Sequence, residues 1–395
     1  MPTQAYRRFL RFSFPVEVLN KDLKLIFTSN LIGSFGDGLY AYLLPYYMRE
    51  TLRANSVEIG ILYALTSLTA ALTLLLAGAL ADKYDRKKIM IAGWLAWVPA
   101  PIIFSMAKDW IHMLPGMLLW GVWLGGPTST AYIVTSADKN KLTLTFTVIS
   151  SSWSFGYIFS PALGGYMAGK VGMQAVFYTS FLLYALAGLV LAFMKSQHAP
   201  TTQQKTSARS STIELLKDRK LISISAFFAS IMFVMMMFRP LVPQFLADVY
   251  RYGDFEIGVL GSMAFFGSAV LGIILGRVGD KWGKRYALAA SLASCSISLI
   301  IMLLTGDLYI LMVAFFLAGA SYITWSLMSA IIGPQAPEPI RARWISIPQT
   351  ISMFASIIAP YIGGIIYEIS LYHPFIAAIG ASFILAIAVS CKTIT

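Results

Sequence analysis

Gly78-Ala79-Leu80-Ala81-Asp82-Lys83-Tyr84-Asp85-Arg86-Lys87-Lys88 is the stretch on which the fold turns. An apolar run, 59–81, leads into it, and four basic residues then crowd into 83–88 before a second apolar run, 89–107. Runs of roughly 20 apolar residues are long enough for a helix to cross the hydrocarbon core of a bilayer. The stretch therefore reads as a tight, positively charged turn between two membrane-spanning helices. A second version stands 198 residues on, as Gly276-Arg277-Val278-Gly279-Asp280-Lys281-Trp282-Gly283-Lys284-Arg285.

The same offset recurs elsewhere, which makes it a repeat and not a coincidence. Glu58-Ile59-Gly60 returns as Glu256-Ile257-Gly258, and Pro45 as Pro243. Gly156, Ser160-Pro161 and Gly164-Gly165 return at 199 as Ala355, Ala359-Pro360 and Gly363-Gly364. Twelve apolar windows fill the chain: about 25–48, 59–81, 89–107, 113–137, 142–169, 171–194, 221–247, 257–276, 286–306, 308–333, 344–367 and 369–391. Between the sixth and seventh lies 195–220, a polar Ser/Thr/Gln-rich stretch that reads as a linker. The expected fold is an all-α membrane protein of twelve transmembrane helices, arranged as two six-helix bundles related as parallel repeats. The bundles are 1–194 and 221–395, with 195–220 as a cytoplasmic linker.

Composition agrees. Of 395 residues, 57% are hydrophobic and 12% charged, against about 25% charged in an average soluble domain, and mean hydropathy is +0.71. A net charge of +12 is compatible with nucleic-acid binding in principle, but its distribution points elsewhere. With the N-terminus placed inside, 24 of the 30 Lys and Arg fall on the cytoplasmic side and five outside, while the acids divide almost evenly. That asymmetry is an orientation signal, so a multi-pass protein of the cell membrane with both termini cytoplasmic is expected, and no nucleic-acid partner. The first apolar run is too long for a cleaved signal peptide and reads as a retained span.

The tandem stretches at Gly78 and Gly276 resemble motif A of the major facilitator superfamily, G-x-L-a-D-r-x-G-r-k. Asp85 replaces the motif's second glycine in the first copy, and Gly283 keeps it in the second. The resemblance implies alternating access of two bundles around a midplane site. It assigns Gly78, Asp82, Arg86, Lys87, Gly276, Asp280, Lys284 and Arg285 to a cytoplasmic latch between the halves, with Asp138 as the acid for Arg86 and Lys87. Small residues at 78 and 276 suit close approach of helices. The bland alternative is a tight turn carrying positive-inside charge. Gly156-Tyr157-Ile158-Phe159-Ser160-Pro161-Ala162-Leu163-Gly164-Gly165 resembles motif C, G-x-x-x-G-P-x-x-G-G, found mainly in exporters that exchange substrate for protons. Gly156, Pro161, Gly164 and Gly165 would then form the groove and bend of span 5, unless they are ordinary small-residue packing. Span 4 lacks the arginine of motif B.

Two charges remain inside spans, Asp37 and Arg239, and such residues are functional candidates by default. Three readings stand: Asp37 as a proton site, Asp37 and Arg239 as a structural ion pair, and Arg239 as an anion-binding residue. Asn30, Ser34 and Asp37 share one helix face as a polar stripe. Trp123, Trp153, Tyr157, Met232, Met236, Tyr322 and Trp325 are candidates for a cavity lining, since Met and aromatic side chains make an adaptable apolar surface. Lipid contact or packing is the competing reading for each. Trp344, at a span end, is expected at the membrane interface.

No Walker A sequence, metal-ligand spacing or catalytic constellation occurs, so no enzyme activity, metal or cofactor is expected. The expected activity is proton-coupled export of small amphiphilic or drug-like compounds by a functional monomer, with the proton gradient as energy source. Uptake of a metabolite or organic anion, lipid flipping and a non-transporting receptor are the alternatives.

Overall fold

The computed structural model describes residues 18–138, 141–198, 218–332, 335 and 341–391. All regular structure among them is helical. The first half of the chain contains α1 (Lys21–Ala41), α2 (Leu44–Glu50), α3 (Ser56–Lys83), α4 (Arg86–Trp97), α5 (Pro99–Met106), α6 (Trp110–Trp120), α7 (Gly125–Ser136), α8 (Leu142–Val171) and α9 (Met173–Ala192). The second half contains α10 (Arg219–Phe238), α11 (Val242–Tyr250), α12 (Asp254–Trp282), α13 (Lys284–Leu304), α14 (Leu308–Ala318), α15 (Thr324–Ile332), α16 (Arg341–Ile369) and α17 (His373–Cys391).

Among the described residues, nine stretches are long and apolar enough to cross a membrane. The three expected windows missing from that set are 25–48, 113–137 and 142–169, which correspond to α1–α2, α6–α7 and α8. Their polarity has a local cause. They carry Asn30, Ser34 and Asp37, a broken segment at 121–124, and the Ser/Thr/Trp run 145–154. All three contribute residues to the candidate site.

The sequence repeat reappears in the way the helices begin. Asn20 caps α1 and Asp218 caps α10; Asn55 with Glu58 and Gly253 with Glu256 start α3 and α12; Asp109 caps α6 and Asp307 caps α14. Each pair is separated by 198. Caps satisfy backbone N–H groups that a helix leaves open at its start, so the repeat preserves the punctuation more faithfully than the side chains between.

Breaks repeat as well. A turn at Tyr42–Leu43 joins α1 to α2, and a 3₁₀ turn at Arg239–Leu241 joins α10 to α11, each beside prolines. Gly121–Leu124 interrupts α6–α7, and Gly319–Ile323 interrupts α14–α15. Non-helical backbone inside a membrane protein must find partners within the protein. Here Trp97 Nε1 donates to the Val122 carbonyl at 2.6 Å, and the Thr73 hydroxyl accepts from Trp123 N–H at 2.9 Å.

Helix pairings follow the same symmetry. α1 packs on α8 as α10 packs on α16, and α3 packs on α16 as α12 packs on α8. The last two pairs join the first half of the chain to the second. At one end of this seam the backbones meet directly. A Cβ on Gly60 would strike the Pro360 carbonyl and one on Gly258 the Pro161 carbonyl; likewise Gly165 faces the Asp254 carbonyl and Gly364 the Ser56 carbonyl. Hydrogen bonds reinforce that end: Ser56 N–H donates to Glu368 at 2.7 Å, Gln244 to the Ser56 hydroxyl at 3.3 Å, and Arg49 pairs with Asp248 at 3.7 Å. It lies opposite the basic loops.

Candidate functional site

Asp37 is buried, 3% exposed, near the C-terminal end of α1. Its neighbours explain how a carboxylate is tolerated there. Trp120 Nε1, at the end of α6, donates to Oδ1 at 2.7 Å. The Tyr184 hydroxyl, from α9, also donates to Oδ1, and the Tyr157 hydroxyl, from α8, donates to Oδ2. Tyr40 contacts the Tyr184 hydroxyl at 2.9 Å, one helical turn beyond Asp37. The cage is built from neutral donors on three other helices, and hydrogen bonds to an ionised acceptor are the stronger kind. Small residues let it close: Gly33 lies against the Trp94 ring, and Gly38 against Ser160 and Tyr157.

Beside the cage is a partly open cavity. Trp94, Trp97, Trp123 and Trp153 form most of its wall, with Asn30 and Ser129 as polar groups. Cage and cavity wall touch: Trp153 stacks with Tyr157 at a centroid separation of 6.4 Å, and Trp94 and Trp97 both contact Tyr184 at 5.7 Å. A mostly aromatic hollow with few polar groups suits a flat or amphiphilic small molecule.

Arg239 occupies a separate place, at the break between α10 and α11. Its Nη2 donates to the Ser321 carbonyl at 2.7 Å and hydroxyl at 3.2 Å, and its guanidinium lies 4.4 Å from the Tyr322 ring centroid. No salt bridge joins it to Asp37 among the described residues. Of the three readings of these charges, the ion pair is the one this geometry does not support. Each charge is solvated within its own half of the chain, Asp37 by aromatic donors and Arg239 by Ser321 and a ring face. The rings between them form a chain across the seam: Tyr157 meets Phe265 at 4.5 Å, and Phe265 meets Tyr322 at 5.0 Å.

Of the expected lining residues, Asn30, Trp123 and Trp153 come together in the aromatic cavity, Tyr157 reaches Asp37, and Tyr322 lies under Arg239. Ser34 does not face a cavity: its hydroxyl donates to the Leu31 and Ser152 carbonyls inside the α1–α8 contact. Met232, Met236 and Trp325 line neither cavity and pack half-buried against the core. Trp344, expected at the interface, is buried at 3% exposure. Tyr40, Trp94, Trp97 and Tyr184 are the additions. A lone hydroxyl in the apolar stretch Phe181-Leu182-Leu183-Tyr184-Ala185-Leu186 was the available signal, because a bilayer-embedded polar group needs a partner.

The motif-C-like residues hold helices close. Gly156 lies on the Ser34–Phe35 backbone, Gly164 on the Leu39 carbonyl and Gly165 on the Asp254 carbonyl. Pro161 removes one N–H from α8, and its carbonyl meets Gly258; the next N–H, of Ala162, donates across the seam to Ser262 at 3.0 Å.

At the basic end the picture differs. Gly78 and the Asp82 side chain lie outside the described residues, as do 199–217 of the linker. Gly276, expected at a close approach, has nothing within 4 Å of its Cβ position, because the direct backbone contacts of the seam are at the opposite end. Asp280 is exposed, and Lys284 and Arg285 are half-buried, with Arg285 donating to Tyr286. Gly283 has φ 113°, a left-handed conformation that favours glycine. Asp85 takes the equivalent place with φ −61° and works as a cap, accepting from the N–H groups of Lys87 at 3.0 Å and Gln197 at 3.1 Å. Burial alone would raise its carboxyl, but hydrogen bonds from Ser196, Gln197 and Lys87 outweigh it and hold the group below its ordinary range.

Arg86 is buried beside it. The sequence pointed to Asp138 as its partner, yet its hydrogen bonds run to Gln197 Oε1 at 2.7 Å, Thr135 at 2.8 Å, the Ala131 carbonyl at 3.2 Å and the Ala81 carbonyl at 3.4 Å. Lys87 is half-buried, and Asp138 is exposed just beyond α7. Gln197 in turn donates to Ser136 at 2.8 Å, so the first linker residues are clasped to α4 and α7. Arg86→Met should strand these acceptors and lower stability by about 2 kcal/mol, read as a drop in thermal midpoint in detergent.

An all-helical, multi-pass membrane protein with cavities on either side of a two-part seam belongs to the class of secondary transporters. The family model described as Major Facilitator Superfamily matches residues 26–253 and 223–393, and the chain belongs to that family. It is 21% identical over 370 residues to Multidrug resistance protein 2 of Bacillus subtilis (strain 168), covering 91% of this chain and 92% of that one. It is 24% identical over 384 residues to the multi-drug resistance efflux pump PmrA of Streptococcus pneumoniae serotype 4, covering 94% of each. Its fold is similar to that of the nucleoside transporter NupG, with TM-score 0.78 at 14% identity over 94% of this chain and 98% of that one.

Proposed function

We propose that the chain is a proton-coupled exporter of small amphiphilic compounds, with twelve spans in two six-helix bundles (1–194 and 221–395) rocking about the seam. Both termini and the 195–220 linker are cytoplasmic, as the 24 basic residues on that side indicate. The sealed end of the seam is then the outer one, and the conformation is closed to the outside. Asp37 carries the reading: it is a carboxylate in the bilayer, held by neutral donors, next to an aromatic cavity.

Asp37 carries the exchanged proton in this mechanism. Ionised, it accepts all three donors; protonated, it becomes a donor itself and releases at least one of them. Tyr157 and Tyr184 are also tied to the cavity wall, so the cage reshapes the wall as the proton comes and goes. Cargo and proton thereby compete for one arrangement of Trp153, Tyr157 and Tyr184. The two multidrug relatives favour an amphiphilic cargo. Asp82, Arg86, Asp280 and Arg285 would latch the cytoplasmic ends in the opposite, outward-open state.

Everted membrane vesicles test this. An acid-inside gradient should drive accumulation of a lipophilic cationic dye such as ethidium, and added dye should dissipate the gradient. Dye binding without flux would overturn the reading in favour of a receptor.

A further inference from the structure

Arg239 is a guanidinium within a span whose hydrogen bonds go to Ser321 alone among the described residues, and its Nε is buried without a partner. No carboxylate lies within salt-bridge distance of it among the described residues. A charge without a counter-ion in low dielectric is costly even when hydrogen-bonded, and an anion seated beside it lowers that cost. A small cavity beside it is lined by Arg239, Cys295, Ser298, Ser321 and Tyr322, with an apolar wall that includes Phe315.

The repeat shows how this space arises. Cys295 and Ser321 stand 198 residues beyond Trp97 and Trp123, two of the indoles that fill the wall of the first cavity. Small side chains with polar tips replace large rings, and they do so around the one intramembrane cation. The charge, the orphan donor and the hydroxyls converge on one volume with an apolar remainder.

We propose that this second cavity is a carboxylate-binding subsite that receives the anionic end of a small amphiphilic cargo. Arg239 Nε–H, the donor left without a partner, holds the carboxylate, Ser298 and Ser321 flank it, and the apolar wall takes the adjoining carbon skeleton. The subsite rests on the transport reading for its purpose, but its occupancy is a binding property that needs no gradient.

Calorimetry on purified protein in neutral detergent tests it with two matched probes, 4-phenylbutyrate and 4-phenylbutanamide. The carboxylate should bind about tenfold more tightly than the amide, the worth of one charge-assisted contact. Arg239→Gln should abolish that preference while leaving amide binding in place, which also shows the variant is folded. Arg239→Lys should retain most of the preference. Equal binding of the two probes to the wild type, absence of binding by both, or a preference that survives Arg239→Gln would each overturn the proposal. So would displacement of the carboxylate by phosphatidylglycerol but not phosphatidylcholine with Arg239→Gln unaffected, which would place the anion on the lipid-facing surface. Because the measurement has no proton gradient, it can succeed while dye export fails, or the reverse.

Discussion

Asp37→Asn is expected to eliminate gradient-driven accumulation of the dye, down to the level of vesicles without the protein, while dye binding survives. Asparagine keeps the size of the side chain and one accepting oxygen, so Trp120 or a tyrosine still finds a partner. What it loses is the ability to take up and release a proton. A transporter that cannot exchange protons can still equilibrate cargo, so dye exchange across the membrane without a gradient should persist. Asp37→Glu is the control, since it restores a titratable group at the cost of crowding the cage, and should retain part of the coupling. If Asp37→Asn still concentrates dye against its gradient, Asp37 is a structural acceptor and the coupling residue lies elsewhere. Tyr157→Phe separates the cage from the charge: it removes one donor and leaves the carboxylate, so coupling should weaken without disappearing.

The second large effect concerns the sealed end of the seam. Gly258→Val places side-chain atoms on the Pro161 carbonyl, which is backbone and cannot swing aside. Its counterpart, Gly60→Val, does the same against the Pro360 carbonyl. Overpacking of this kind costs roughly 1–3 kcal/mol, and the strain is relieved if the two helices part there. Each substitution should therefore raise the outward-open population by about tenfold or more. A cysteine placed at Ser262 in a background free of Cys295 and Cys391 reads this out, because it sits beside the seam at Ala162. It should label faster with a membrane-impermeant maleimide in the valine variants. Unchanged labelling would mean that the contact is not a gate.

Much of this architecture was legible beforehand. The turn beyond Asp82, its echo beyond Asp280 and the succession of long apolar helices are local or periodic features, and a linear text carries those well. Asp37 and Arg239 emerged by elimination, as the two charges with no aqueous loop to occupy. Their partners did not. Whether a buried carboxylate is met by an arginine or by indole and phenol donors depends on which helix faces which, and α9 reads as a plain apolar helix until Tyr184 is seen to point at Asp37. Ser34 misled for the opposite reason. A serine on a polar stripe serves a cavity or a helix contact equally well, and here it bonds a carbonyl of α8. Arg86 shows a third limit, since its partner Gln197 is 111 residues away and uncharged.

That clasp has a mechanical meaning. Gln197 binds the base of α4 through Asp85 and Arg86, and the end of α7 through Ser136, whereas the corresponding turn at Gly283 is an uncapped glycine bend. The start of the linker is thus tied to two helices of the first half at once, the half that houses Asp37. In engineering terms the two halves are mounted differently at this end, so a repeated sequence need not give repeated mechanics.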